Sequence, residues 1–240
     1  MTRSSPLRLS AAGPLRLLTP PDSPILCYVT DRKALGLESN SFAQLLAMIR
    51  RAIETGVDWI QVREKDLSGR ELIHLAQEAV AAASSTPTKI LVNDRLDVAV
   101  AAHAAGVHLG TESLPVRAVK AWRESDAEST SNFLIGASCH SLEQAQSAEL
   151  DGADYIIFGP VFETPSKASF GPPQGIEQLH EVCAGIKIPV LAIGGVNPAN
   201  ASGCIRAGAA GIAAIRMFQE ARSSDDLRSV INQLKSLKRT

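Results

Sequence analysis

Five short apolar runs in this chain end in polar groups of the kind that bind and split charged small molecules. Gln61, Arg63 and Lys65 close the run VDWIQV, Asn93 and Asp94 close KILV, and Ser138 and His140 close FLIGAS. Thr164, Ser166 and Lys167 follow YIIFGP, and Gly194 and Gly195 close PVLAI. Arg63 and Lys65 stand two residues apart, so on an extended segment both point to one face. With Lys167 they would grip a di- or triphosphate, Arg through its planar fork and Lys as a point charge. Asn93 and Asp94 offer hard oxygens suited to Mg²⁺, which usually takes one or two carboxylates together with phosphate oxygens and water. Cations, a metal ion and hydroxyls converging on one anion make diphosphate a good leaving group, and such chemistry needs no protein nucleophile.

Each segment alone has a plainer reading. REK on a loop is commonly a solvated charge cluster, and NDR serves equally as a strand stop with an Asn/Asp turn. Ser138 and Thr164 as single hydroxyls would cap a helix or satisfy backbone, and Lys167 lies between Pro165 and Pro172 where an exposed lysine is unremarked. What favours a site is their joint occurrence at successive strand ends.

The elements that must position them follow from hydrophobic periodicity. Apolar runs near 25–30, 57–62, 88–93, 106–109, 133–137, 154–158, 189–193 and 211–215 are short, β-branched and bounded by turn residues, the pattern of strands buried on both faces. Eight is the number that closes a barrel. Between the runs lie helical patterns. SFAQLLAMIRRAIETG repeats apolar residues every three or four positions and stops at Gly56, and Ser68 with Glu71 forms a capping box before the next helix. Ser141 caps a segment ending at Gly152, and Asn197 followed by Pro198 opens one ending at Gly208. A doubly wound open sheet shares this alternation, but no GxGxxG follows the first run. The glycines cluster instead beside the last two strands, as AIGGV and AGAAG, where barrels commonly hold phosphate through backbone N–H groups. The expected fold is an α/β (β/α)8 TIM barrel over residues 25–240, preceded by an irregular arm at 1–24 rich in Pro, Ser and Arg. Pro6, Arg8, Pro14 and Arg16 interrupt any signal-peptide core in that arm.

With 240 residues, 45% of them hydrophobic, the chain has enough apolar side chains for one large core. A net charge of −1 provides no general attraction to nucleic acid or an anionic membrane, so small-molecule partners are expected. No apolar stretch reaches the ~20 residues of a membrane helix. Cys27, Cys139, Cys183 and Cys204 are far apart without metal-type spacing, which suits free thiols in the cytoplasm. The sequence is compatible with a homo-oligomer. His74, His103, His108 and His180 read as structural.

QVREK at 61–65, VNDR at 92–95, GVHLG at 106–110, GAS at 136–138, GPVFETPSK at 159–167, AIGGV at 192–196 and the closing AGAAGIAAI resemble, in order and interval, the thiamine phosphate synthase superfamily. The resemblance covers roughly residues 25–220. It implies a barrel enzyme of thiamine biosynthesis, a transferase that joins hydroxymethylpyrimidine pyrophosphate to thiazole phosphate with release of pyrophosphate. By the same resemblance Gln61, Arg63, Lys65, Asn93, Ser138 and Lys167 would contact the pyrimidine and its pyrophosphate, and Asp94 would bind Mg²⁺. Thr164 and Ser166, with backbone near Gly194 and Gly195, would hold the thiazole phosphate.

Two positions depart from that pattern. Ser113 in GTES stands where many synthases carry a second Mg²⁺-binding Asp, and Arg216 stands after the eighth strand where the family often has a small Ser. Arg216 would either bind the thiazole phosphate or snorkel from the barrel rim. The segment 138–167 also resembles the related thiazole tautomerase, which isomerises a carboxythiazole phosphate without metal, with His140 as its general acid/base. The retained QVREK and VNDR favour the synthase. A non-catalytic barrel that binds thiazole or thiamine phosphate is a third alternative.

Overall fold

The structure, a computed structural model, describes residues 23–35, 41–125, 130–164 and 172–238. Eight parallel strands pair in sequence order and close on themselves: β1 Ile25–Val29, β2 Trp59–Val62, β3 Lys89–Asn93, β4 Gly106–Leu109, β5 Leu134–Cys139, β6 Tyr155–Phe158, β7 Val190–Ala192 and β8 Gly211–Ala214. The closure is made by β1 on β8, with Ile25 opposite Gly211 and Tyr28 opposite Ala214. The open-sheet alternative is thereby excluded. The expected arm at 1–24 lies, up to residue 22, outside the described residues.

Helices follow the strands: α1 Ser41–Thr55, α2 Gly69–Ala83, α3 Leu96–Ala101, α4 Val116–Ser125, α5 Leu142–Asp151, α6 Gly175–Gly185, α7 Ala201–Arg206, a short α8 Arg216–Gln219 and α9 Ser224–Lys235. Their boundaries obey local chemistry. Leu45, Leu46, Ile49, Ala52 and Ile53 make the buried stripe of α1, and the chain leaves that helix through Gly56 at φ +92°, a conformation that costs glycine little. The Ser68–Glu71 capping box is formed in both directions, with Glu71 N–H on the Ser68 hydroxyl at 3.3 Å and Ser68 N–H on the Glu71 carboxylate at 2.9 Å. Ser141 caps α5 by accepting Gln144 N–H at 3.1 Å, and Gly152 ends it at φ +96°. Asn197 differs from expectation. Its side chain accepts Ala199 N–H at 2.9 Å in a tight turn, and α7 begins only at Ala201. Asx turns compete with helix initiation in this way.

Strand alternation sorts side chains into two cores. Outward-pointing Leu26, Ile60, Val92, Val107, Ile156 and Ile212 pack beneath the helices, whereas Cys27, Trp59, Leu91, Tyr155, Ile157, Leu191 and Ala213 fill the barrel itself. Because both faces are covered, the strands read as unbroken apolar runs. Tyr155 occupies the barrel centre, its ring edge-on to Trp59 at 4.7 Å between centroids. It fits because the facing residue of β5 is Gly136, where a methyl group would overlap the Tyr155 ring.

At the N-terminal ends of the strands one device appears twice. Asp58, just before β2, accepts Leu26 N–H at 2.7 Å and pairs with Lys235 of α9. Asp154, just before β6, accepts Ile135 N–H at 2.7 Å and pairs with Arg123 at 2.5 Å. These contacts fasten the closed end, which leaves the C-terminal end to carry chemistry. Among the described residues no helix is long and apolar enough to cross a membrane.

Candidate functional site

The polar groups expected at strand ends lie at the C-terminal mouth, and several are joined directly. From β2, Gln61 donates through Nε2 to Asn93 Oδ1 of β3 at 2.7 Å. Asn93 in turn donates through Nδ2 to Asp94 Oδ2 at 2.6 Å. Asp94 leaves β3 at φ +61°, a turn that Asp tolerates better than most residues. Its Oδ1 accepts Gly110 N–H at 3.0 Å and the Ser113 hydroxyl. At the far end of this chain the Gln61 Oε1 atom is buried without a hydrogen-bond partner, although the residue is only 3% exposed. A buried carbonyl left unpaired costs roughly 1–3 kcal/mol, so this acceptor is the one group of the network that a further donor would satisfy.

A second network lies beside the first. His108 of β4 is 1% exposed, with Nε2 at 2.9 Å from Ser138 Oγ and Nδ1 at 3.2 Å from the Tyr155 hydroxyl. Burial pushes its imidazole down to about 4, with the Asp94 carboxylate opposing and the Arg63 guanidinium adding to that shift. The ring is therefore neutral at pH 7, one nitrogen donating and the other accepting.

Arg63 is half-buried just past β2, where its backbone N–H is fixed by Thr30 Oγ1 at 2.9 Å, and its guanidinium pairs with no carboxylate among the described residues. Glu64 faces the opposite way: it is buried and receives Arg32 from both backbone N–H and Nη1 at 3.2 Å. Burial pushes the Glu64 carboxyl up, while hydrogen bonds from Thr30 and Arg32 hold it back. Arg32 also grips Asp66 at 2.5 Å, so the loops after β1 and β2 are tied together. The expectation that strand alternation keeps Arg63 and Lys65 on one face is corrected here. Regular strand ends at Val62, and Lys65 is exposed in a turn.

His140 crosses to the next strand end. Its Nδ1 lies 2.5 Å from the Gly159 carbonyl, which makes Nδ1 the hydrogen-bond donor of that pair. Ser141, not His140, caps α5. Cys139 next to it points into the outer core.

Gly194 and Gly195 adopt φ +94° and +64° in succession. A methyl at Gly194 would overlap Pro160, and one at Gly195 would overlap Phe162 and the Glu163 carbonyl. This close approach comes from a short ladder in which Val161 N–H binds Ile193 O at 2.8 Å and Phe162 N–H binds Gly194 O at 2.9 Å. The N–H groups of Gly194 and Gly195 make no hydrogen bond among the described residues, the kind of backbone donors that successive left-handed residues can offer an anion. Arg216, exposed, begins α8 just beyond neighbouring β8. Thr164 is half-buried at the edge of the same loop, and Ser166 and Lys167 lie outside the described residues. A separate groove of about 460 Å³, lined by Ile176, His180 and Arg206 among others, lies in the outer helical layer between α6 and α7 and shares none of these groups.

The donor set was tested against Mg²⁺. Asp94 Oδ1 already accepts two donors and Oδ2 one, which leaves a single carboxylate oxygen open on one side. Among the described residues no three His, Cys, Asp or Glu side chains cluster as metal ligands. That arrangement fits an ion held by one carboxylate plus substrate phosphate and water, and does not fit a cage made by protein alone.

His108 is the residue whose part in the site the sequence reading missed. The sequence shows it as a histidine inside the short run GVHL, a pattern that a core histidine shares, and only the pairing with Asn93 and Gly136 sets it beside the candidate groups.

A closed barrel whose C-terminal mouth gathers a buried amide acceptor, a carboxylate, a guanidinium without a carboxylate partner among the described residues and a glycine turn with unbonded N–H groups has the architecture of a phosphate-handling (β/α)8 enzyme. Residues 26–218 match the family model described as thiamine monophosphate synthase. A thiamine-phosphate synthase of Chlorobium luteolum is 39% identical over 206 residues, covering 86% of this chain and 90% of that protein. One from Methanocella arvoryzae is 40% identical over 190 residues, covering 79% and 85%. The solved thiamine phosphate pyrophosphorylase of Pyrococcus furiosus superposes with a TM-score of 0.75 at 34% identity, covering 90% of this chain and 96% of that one. The chain belongs to the thiamine monophosphate synthase family.

Proposed function

We propose that this barrel joins an aminopyrimidine methyl diphosphate to a thiazole phosphate, releasing diphosphate and forming thiamine phosphate. The observation that carries the reading is the buried, unpartnered Gln61 Oε1 at the mouth, an acceptor suited to the amino group of the pyrimidine. Family membership and the names of the relatives support it.

In this reaction the methylene C–O bond breaks with its electron pair going to the diphosphate oxygen. The thiazole nitrogen then supplies the pair for the new C–N bond. Gln61 orients the pyrimidine, with the Ser138 hydroxyl held beside it by His108. Arg63, Lys65 and Lys167 neutralise charge as it accumulates on the leaving group, an effect worth most where water is excluded. The N–H groups of Gly194 and Gly195, with Thr164, Ser166 and Arg216, hold the thiazole phosphate so that its nitrogen lies within about 3–3.5 Å of the carbon. Asp94 would hold Mg²⁺ together with the diphosphate oxygens, and the ion would supply further charge neutralisation to the leaving group.

The test is incubation with both substrates and Mg²⁺, with thiamine phosphate and diphosphate quantified. Product should form, and Arg63→Ala or Lys167→Ala should lower kcat by about 10²-fold or more. Unchanged rates in both variants would remove those residues from the mechanism, and no product from wild type would refute the reading.

One geometric fact favours a second activity. With Nδ1 committed to the Gly159 carbonyl, His140 is the imidazole that would move the proton on a carboxythiazole phosphate. His140→Gln should abolish isomerisation of that compound if this barrel catalyses it.

A further inference from the structure

The amide chain at the mouth has a direction, and the direction has one source. A carboxylate only accepts hydrogen bonds. Asp94 Oδ2 therefore forces the Asn93 side chain to turn its NH₂ towards it, at 2.6 Å. This leaves Asn93 Oδ1 facing Gln61, which must answer with its own NH₂, at 2.7 Å. Gln61 Oε1 is then left as the acceptor at the end of the chain, buried and without a partner. Gly110 N–H and the Ser113 hydroxyl, both donating to Asp94 Oδ1, hold the carboxylate in this pose. Ser113 contributes here as a donor, a part that a carboxylate at the same position would not play when ionised.

We infer that Asp94, through Asn93, sets the hydrogen-bond polarity of Gln61 and so selects a ring bearing an amino group over one bearing an oxo group. Asp94 acts here as a positioning residue, whatever else it binds. This rests on the pyrimidine reading proposed above and deepens it. An acceptor that is buried and unable to flip repels a carbonyl at the same place, because two acceptors would then share one desolvated space. With an amide in place of the carboxylate at 94, the whole chain can reverse. Gln61 would then present NH₂ as readily as C=O.

The test measures binding by titration calorimetry in the presence of a chelator, so that Mg²⁺ plays no part. The probes are 4-amino-5-hydroxymethyl-2-methylpyrimidine and its 4-oxo analogue, both without phosphate. Wild type should prefer the amino compound by about 100-fold, the upper end of what one unpaired buried group costs. In Asp94→Asn the preference should fall below about 10-fold, and Asn93→Ala, which breaks the chain one link later, should do the same. A preference retained in full by either folded variant would overturn the inference while leaving the pyrimidine reading intact. If neither probe nor its diphosphate binds wild type, the pyrimidine reading itself falls, and the inference with it. NMR of the unliganded wild type provides a check that no misfolded variant can spoil. The Gln61 side-chain N–H protons must lie close to Asn93, and finding the Asn93 amide protons turned towards Gln61 instead would overturn the inference.

Discussion

His108→Gln separates the buried imidazole's effect on stability from every other titration in the barrel. In the folded state burial holds the imidazole at about 4, whereas in the unfolded chain it titrates near 6.5. Between those values the unfolded chain takes up a proton that the folded one refuses, so acid favours unfolding. Stability is complete above about pH 6.5 and declines as the pH falls towards 4. Each pH unit in that window is worth about 1.36 kcal/mol, so lowering the pH from 7.5 to 4.5 should cost wild type about 2–3 kcal/mol through this one ring. Glu64 titrates with the opposite sense because burial raises its carboxyl, but it is present in both proteins and cancels in the comparison. The assay is urea unfolding at both pH values, followed by the fluorescence of Trp59 and Trp122 and by circular dichroism, with coincident transitions required. The variant should lose less stability on acidification than wild type, by about 2–3 kcal/mol. The same pH dependence in the two proteins would refute the assignment of a neutral, desolvated His108.

Two further substitutions probe packing and the anion cup. Gly136→Ala places a methyl on the Tyr155 ring inside the barrel and should destabilise the fold by about 1–3 kcal/mol, read as a lower melting temperature; an unchanged melting temperature would show that the ring can yield. Gly195→Ala forces a Cβ against Phe162 and the Glu163 carbonyl at a positive φ and should raise KM for the thiazole phosphate by 10-fold or more with a smaller change in KM for the pyrimidine diphosphate. Equal changes for both substrates would disconnect the glycine loop from phosphate binding.

The barrel was legible because its strands are buried on both faces, so that VDWIQV, KILV and YIIFGP stand out as apolar runs without alternation. Capping at Ser68 and Ser141 was equally clear, since a hydroxyl three residues before its target N–H acts within one turn of chain. Asn197 misled because an Asx turn and a helix N-cap use the same residue type, and the choice between them depends on the three residues that follow. Each strand-end polar group was legible singly as a candidate. Their linkage was not, because Gln61, Asn93 and Ser113 meet only across β2, β3 and the loop after β4. His108 was hidden for a related reason: its partners Ser138 and Tyr155 lie 30 and 47 residues away, and no local pattern distinguishes a histidine inside a barrel from one in an ordinary core.

The cup at Gly194 and Gly195 is built from peptide N–H groups, which neither titrate nor depend on the identity of any side chain. An anion seated there would feel the same donors in mildly acid and mildly alkaline solution. Since Val161 and Phe162 are laced to the cup by main-chain bonds, any displacement of the segment leading towards Thr164 must tug on it. The two loops thus behave as one mechanical piece between Val161 and Gly195, and a change in the packing of Phe162 would be felt at the glycine turn through the main chain alone.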